Sequence, residues 1–152
     1  MRFILVDSIL AMVPGKTISA TKTLPAGEEL FLDHFPGFPV VPGVLLTEMM
    51  AQTAGKCLFA EHPERGRPML AQIKGASFRG WVRPDELIVL TAEIQSSRPQ
   101  FATASCHATV NGHPVCSAEL MFSFAPASSF GADYRDEVLD RYLSQPIAGH
   151  PQ

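Results

Sequence analysis

The hydrophobic pattern places β-like stretches on both sides of one long apolar run. Residues 3–12 are rich in β-type residues, and residues 16–24 alternate with β-branched side chains, with the turn signal Pro14-Gly15 between them. These two stretches predict a hairpin. Residues 44–60 are apolar almost all round a helical projection, which is typical of a buried helix, and the His62-Pro63 pair ends the run.

Further β-like stretches follow the helix and are separated by proline or glycine turns. They comprise residues 69–78, 86–96, 100–110 and 114–124. A hairpin, one buried helix and several antiparallel strands predict an α+β fold in which the sheet curls around the helix. The open edges of such a sheet favour edge-to-edge dimerisation.

The last two strands contain a test of register. Their small apolar side chains lie at even positions in both strands, namely Ala102, Ala104, Cys106, Ala108 and Val110, then Cys116, Ala118, Leu120, Phe122 and Phe124. A two-residue Asn111-Gly112 loop would place the two sets on opposite faces, whereas a three-residue loop over 111–113 places both on one face. We therefore predict the three-residue loop.

Composition and charge exclude several classes of protein. The chain has 152 residues, 46% of them hydrophobic, which suits one domain, and its formal net charge of −3 gives no basis for nucleic-acid binding. Cys57, Cys106 and Cys116 lack metal-ligand spacing and are typical of buried fillers in a reducing compartment. No uninterrupted apolar run is long enough for a membrane span. We predict a cytoplasmic protein.

The composition changes after Pro126 to serine, glycine and alanine. Residues 133–143, DYRDEVLDRYL, then have helical character. We predict a domain over residues 1–125 and a C-terminal tail over 126–152 that contains a short helix.

Candidate chemistry lies at the start of the long helix. His34 precedes three prolines within eight residues, so a stiff connector holds it, and Glu48 is a lone carboxylate in the second turn of an apolar helix. A histidine base and a desolvated acid suit proton transfer. The Gly43 amide is the first free donor at the helix N-terminus. The structural alternative is that His34 caps a turn and Glu48 bonds to Gln52.

Competing motifs are absent from the sequence: it has no G-x-S-x-G, P-loop, dinucleotide fingerprint, H-E-x-x-H or CxxC. Residues 34–52, HFPGFPVVPGVLLTEMMAQ, resemble the signature H-F-P-x-x-P-x-x-P-G-V-L-x-x-E-x-x-A-Q of hotdog-fold 3-hydroxyacyl-[acyl-carrier-protein] dehydratases. Together with weaker stretches, the resemblance spans residues 2–124. It implies a single hotdog domain, in which a curved antiparallel sheet wraps around one long buried helix.

The resemblance also implies roles for individual residues. His34 would remove the C2 proton of a 3-hydroxyacyl thioester, and Glu48 from the other subunit would protonate the departing hydroxyl. The Gly43 amide would polarise the thioester carbonyl, and Gln52 would steady the Glu48 carboxyl. Glu48 stands where related dehydratase-isomerases have aspartate, which favours the dehydration-only branch. The residues expected to line the substrate tunnel are Phe35, Pro42 and Val44.

The implied partners follow from the same resemblance. No metal or redox cofactor is expected, because the substrate is carried on the phosphopantetheine arm of acyl carrier protein. The protein would be a homodimer with shared active sites, alone or as a hexameric trimer of dimers. Lys74, Arg79 and Arg83 are candidate contacts for an acidic carrier protein. Two alternatives stay open: a hotdog acyl thioesterase, and a non-catalytic module that binds acyl carrier protein or acyl chains.

Overall fold

A computed structural model describes residues 1–145 as one six-stranded antiparallel sheet packed on a long helix. The strands are β1 (Ser8–Val13), β2 (Thr17–Lys22), β3 (Arg67–Phe78), β4 (Ile88–Ser97), β5 (Phe101–Val110) and β6 (His113–Ala125). The helices are α1 (Leu30–Asp33), α2 (Gly43–Glu61) and α3 (Glu137–Ser144). The strand order is β1-β2-β4-β5-β6-β3, and α2 packs against β2 through β6. The predicted α+β fold is confirmed.

The core lies between α2 and the inner face of the sheet. Fully buried side chains of α2, such as Met49 and Met50, meet those of the central strands, including Leu90, Leu120 and Phe122. Small residues on β5 allow the helix to approach the sheet closely. Cys57, Cys106 and Cys116 are buried free thiols, as predicted. Among residues 1–145, no helix has the length and hydrophobicity needed to span a bilayer.

The last hairpin corrects the predicted loop. Val110 pairs with His113, so the turn has two residues, and Asn111 and Gly112 both have positive φ, 50° and 76°. These angles fit the turn that Asn-Gly favours. A bulge at Val115 then shifts the pairing by one residue and returns both apolar sets to the inner face. The predicted three-residue loop was therefore wrong, although the register along the strands was correct.

The N-terminal segment and the tail also differ from expectation. Strand β1 begins only at Ser8, because the preceding backbone bonds to a side chain: the Leu5 N–H donates to Gln52 Oε1 at 2.9 Å. The short helix α1 was not predicted. Helix α3 begins at Glu137, later than predicted, where the Asp136 side chain caps it. The last part of the predicted tail, 146–152, lies outside the described residues.

Candidate active site

The loop that carries His34 is fixed by its own hydrogen bonds. The His34 N–H donates to the Leu30 carbonyl at 3.0 Å, which continues α1 by one residue. Phe35 and Phe38 exchange backbone hydrogen bonds of 3.0 and 2.8 Å, and Gly37 between them has a φ of 78°. The His34-Phe35 peptide bond is cis. The histidine backbone is therefore held from both sides.

The imidazole of His34 is oriented by Val40. Its Nδ1 lies 3.0 Å from the Val40 carbonyl oxygen, while the Val40 N–H donates to the His34 carbonyl at 3.1 Å. A carbonyl oxygen only accepts, so Nδ1 carries the proton and the neutral ring has its lone pair on Nε2. The ring also stacks on Phe35, with centroids 4.0 Å apart. This arrangement presents Nε2 as a proton acceptor.

Gly43 opens α2 with a free amide. The Leu45 and Leu46 N–H groups make the first bonds of the helix, to the Pro42 carbonyl, so the Gly43 N–H precedes the intrahelical ladder. The Phe78 ring lies so close to Gly43 that an added Cβ would approach it to 2.9 Å. A glycine here lets the backbone and an aromatic ring come together. An amide N–H outside the helical hydrogen-bond ladder can polarise a bound carbonyl.

Glu48 is partly buried and bonded to Gln52, which lies one turn further along α2. Gln52 Nε2 donates to Glu48 Oε1 at 3.1 Å and to the Phe3 carbonyl at 3.2 Å. Because Gln52 Oε1 accepts from Leu5, every polar atom of this amide is engaged and its orientation is fixed. Gln52 and Glu48 are in contact, which both the catalytic interpretation and the structural alternative predicted.

Glu48 lines a groove of about 640 Å³ that runs along α2. One wall comes from α2 and β3, and the other from the N-terminal segment and residues 130–137 of the tail. Within residues 1–145, the loop 34–42 contributes no side chain to this groove. Phe35 and Val44, predicted tunnel residues, are instead 50% and 75% exposed, and Pro42 is half-buried beside them. In one chain, His34 and Glu48 therefore belong to separate surfaces.

An ion pair missed by sequence reasoning borders the groove. Lys56, only 7% exposed, donates from Nζ to Asp136 Oδ2 at 2.9 Å. Asp136 Oδ1 accepts from the Leu139 N–H and caps α3. The lone lysine in an apolar helix signalled a need for a partner, but nothing in the sequence identified a residue so distant.

The remaining reactive groups do not compete with His34 and Glu48 as candidate catalytic groups. Burial raises the pKa of Cys57 and Cys116 to about 11 and that of Cys106 to about 12, so these thiols are not nucleophiles near neutrality. In the part of the chain described, no cluster of three or more His, Cys, Asp or Glu side chains is arranged to hold a metal ion. His34 and Glu48 stay the candidate groups for proton transfer.

Comparison with known proteins identifies the family of the chain. Residues 1–119 match the family model described as a FabA-like domain. The 3-hydroxyacyl-[acyl-carrier-protein] dehydratase FabZ of Listeria monocytogenes is 40% identical over 124 residues, which cover 81% of this chain and 86% of that protein. The FabZ of Bacillus pumilus is 38% identical over 128 residues, covering 84% of this chain and 89% of that protein.

Solved structures show the same fold at low identity. The dehydratase heterocomplex ApeI:P from Xenorhabdus doucetiae matches with a TM-score of 0.65 and 12% identity, covering 94% of this chain and 91% of that one. A hypothetical thioesterase with coenzyme A from Streptococcus pneumoniae gives 0.63 and 13%, covering 78% and 85%. The chain therefore belongs to the FabA-like family of hotdog-fold proteins, as a relative of the FabZ dehydratases.

Proposed function

We propose that this protein is a hydro-lyase that converts 3-hydroxyacyl-[acyl-carrier-protein] thioesters to trans-2-enoyl thioesters in fatty-acid or related lipid or polyketide synthesis. The observation that carries the proposal is the hydrogen bond from His34 Nδ1 to the Val40 carbonyl, since it leaves Nε2 as the base. The FabZ relatives, at about 40% identity over most of the chain, support the same reaction.

The reaction needs two proton transfers and one polarised carbonyl. His34 Nε2 takes the proton from C2, and the released electron pair moves toward the thioester carbonyl, whose oxygen accepts from the Gly43 N–H. The C3–O bond then breaks as the Glu48 carboxyl gives its proton to the departing hydroxyl, which leaves as water. Gln52 holds the carboxyl at the required angle. Elimination of water involves no redox step, so the proposal requires no redox cofactor. His34, Glu48 and the Gly43 N–H supply the proton transfers and the carbonyl polarisation, so it requires no metal ion either.

The active unit in this proposal is a homodimer. Residues 34–42 of the same chain contribute no side chain to the Glu48 groove, which supports a second chain as the source of the histidine. Strand β3 lies at an edge of the sheet, and its apolar side chains are 38–51% exposed, including Met69, Leu70, Ile73 and Phe78. Such an edge favours pairing with another strand. Dimerisation along β3 would cover these side chains and close the open groove into a tunnel.

The proposed substrate carrier is acyl carrier protein. Its acidic surface would complement basic side chains around the active-site opening of this chain. Arg83 lies 4.3 Å from the centroid of the Phe38 ring in the His34 loop. Lys74 and Arg79 are also exposed, and Trp81 is 75% exposed. Aromatic rings and guanidinium groups beside a catalytic opening suit a charged protein partner. A cytoplasmic location belongs to the same proposal, supported by the three free thiols.

The test mixes two inactive variants. His34→Ala and Glu48→Gln should each reduce hydration of a 2-enoyl thioester by about 10²–10⁴-fold, followed as loss of enoyl absorbance. When the two are unfolded and refolded together, each mixed dimer has one site with both wild-type residues. Activity should return to about a quarter of the wild-type value, because about half the dimers are mixed.

Three outcomes contradict the proposal. Wild-type turnover in either variant removes its residue from the mechanism, and failure of the mixture to regain activity places both residues of a site in one chain. Release of free thiol from a saturated acyl thioester, without hydration of the enoyl form, assigns the protein to the thioesterases.

A further inference from the structure

The groove that contains Glu48 follows one face of α2. Four of its lining residues, Glu48, Gln52, Gly55 and Phe59, follow one another along α2. Glu48 and Phe59 are 11 residues apart in α2, or about 16 Å at the helical rise. The floor is therefore a single helix face that leads from the carboxylate to an aromatic ring.

An arginine between two aromatic rings lies at the Phe59 end of the groove. The Arg67 guanidinium lies 4.1 Å from the centroid of the Phe59 ring and 4.5 Å from that of Tyr134. Phe130 packs against Tyr134 with centroids 5.2 Å apart. All four line the groove. This aromatic wall, defined as Phe59, Arg67, Phe130 and Tyr134, joins α2, β3 and the tail.

The tail is held by a buried ion pair, by two buried side chains of α3 and by one surface ion pair. Asp136, two residues after Tyr134, is bonded to the buried Lys56. Val138 and Leu139 on α3 are 4% and 1% exposed in the core, and Arg2 pairs with Glu137 at 2.9 Å. Tyr134 is therefore positioned by an element packed into the fold.

We propose that the tail residue Tyr134, through the aromatic wall, sets the longest acyl chain that the active site accepts. The inference rests on the proposed function, since the occupant is the acyl chain of the substrate lying along α2 from C3 at Glu48. The distance from Glu48 to Phe59 leaves room for roughly a dozen carbons before the chain reaches the wall. A longer chain must displace Tyr134 or leave its end outside the groove.

Two variants test the wall from opposite directions. Tyr134→Ala opens the end of the groove, whereas Gly55→Leu fills its middle, where an added Cβ meets only the Pro68 Cβ at 3.8 Å within 4 Å. Each buried methylene contributes about fourfold to binding. The ratio of kcat/KM for hexadecenoyl over butenoyl thioester should therefore rise at least about tenfold in Tyr134→Ala and fall at least about tenfold in Gly55→Leu, mainly through KM for the long substrate.

Matched controls separate the wall from general effects of the tail. Tyr134→Phe keeps the ring and should keep the wild-type ratio, and Leu143→Ala changes an exposed side chain of α3 outside the groove. If Tyr134→Ala does not fold by circular dichroism, Phe130→Ala replaces it. A folded, active Tyr134→Ala or Gly55→Leu with an unchanged ratio overturns this inference alone. Inactivity of the wild type at every chain length overturns the proposed function with it.

Discussion

Replacing Asp136 with alanine tests how strongly the tail is attached to the domain. The substitution removes two contacts at once: the ion pair to Lys56 and the cap of α3. The Lys56 side chain is 8% exposed and that of Asp136 is 18% exposed, so the lysine is left with a buried charge. Breaking such a pair from one side is much more costly than replacing both partners with apolar groups.

The magnitude can be estimated contact by contact. An unpaired buried charge costs about 3–5 kcal/mol, and the partial exposure of Asp136 favours the lower end. The lost cap adds about 1 kcal/mol, so Asp136→Ala should lower the free energy of unfolding by about 4 kcal/mol. Lys56→Met also leaves one partner alone, but the Asp136 carboxylate is more exposed than the lysine and still accepts from the Leu139 N–H at the positive end of α3. This variant should therefore cost less than about 1 kcal/mol. The double variant should lose only the cap.

Urea unfolding of all three variants and the wild type gives the coupling energy. The measurements must share one protein concentration, since the proposed dimer would gain stability by mass action. We expect a coupling of about 3 kcal/mol between the two positions. If Asp136→Ala costs under about 1 kcal/mol, or costs the same beside Met at position 56, then the pair does not anchor the tail.

Two further predictions concern thiols and one tight turn. Because burial raises the pKa of Cys57, Cys106 and Cys116 above the ordinary 9.0, the native thiols should resist labelling at pH 8. Stability should fall from about pH 9 to 11, where only unfolded thiols ionise, and a triple Cys→Ala variant should lose that component. Gly66→Ala, at a φ of 101° and against the backbone of Ala125 at the end of β6, should cost at least about 1–2 kcal/mol in urea unfolding. Gly27→Ala, in open space, should be near neutral. Equal effects of the two glycine variants would contradict the assignment of strain.

Local sequence patterns predicted the fold correctly where burial of apolar side chains, which these patterns reflect, also determines the structure. The apolar run of α2 and the alternation of β5 and β6 determined which faces are buried. The hairpin loop was missed because two preferences competed there: Asn111-Gly112 favours a two-residue turn, and the apolar sets require a register that such a turn does not supply. The bulge at Val115 satisfies both. Nothing in the composition around Val115 indicated it.

The candidate site likewise combines local features that the sequence predicted with long-range contacts that it did not. The positions of His34 and Gly43 follow from prolines and a helix start, which are local features. The orientation of Gln52 depends on backbone groups of the N-terminal segment, and Lys56 depends on the tail. These contacts are long-range, so spacing along the chain carries no information about them. Residues 3–7 look like a strand in sequence, yet a side-chain amide satisfies part of their backbone.

The ion pair between Lys56 and Asp136 also has a fixed place in the order of contacts formed during synthesis. The two residues are 80 positions apart, and a ribosome adding about 5–20 residues per second takes roughly 4–16 s to make that interval. During this interval the growing chain contains Lys56 but not yet Asp136. The ion pair between Lys56 and Asp136 can therefore form only after strands β3 to β6 have been made.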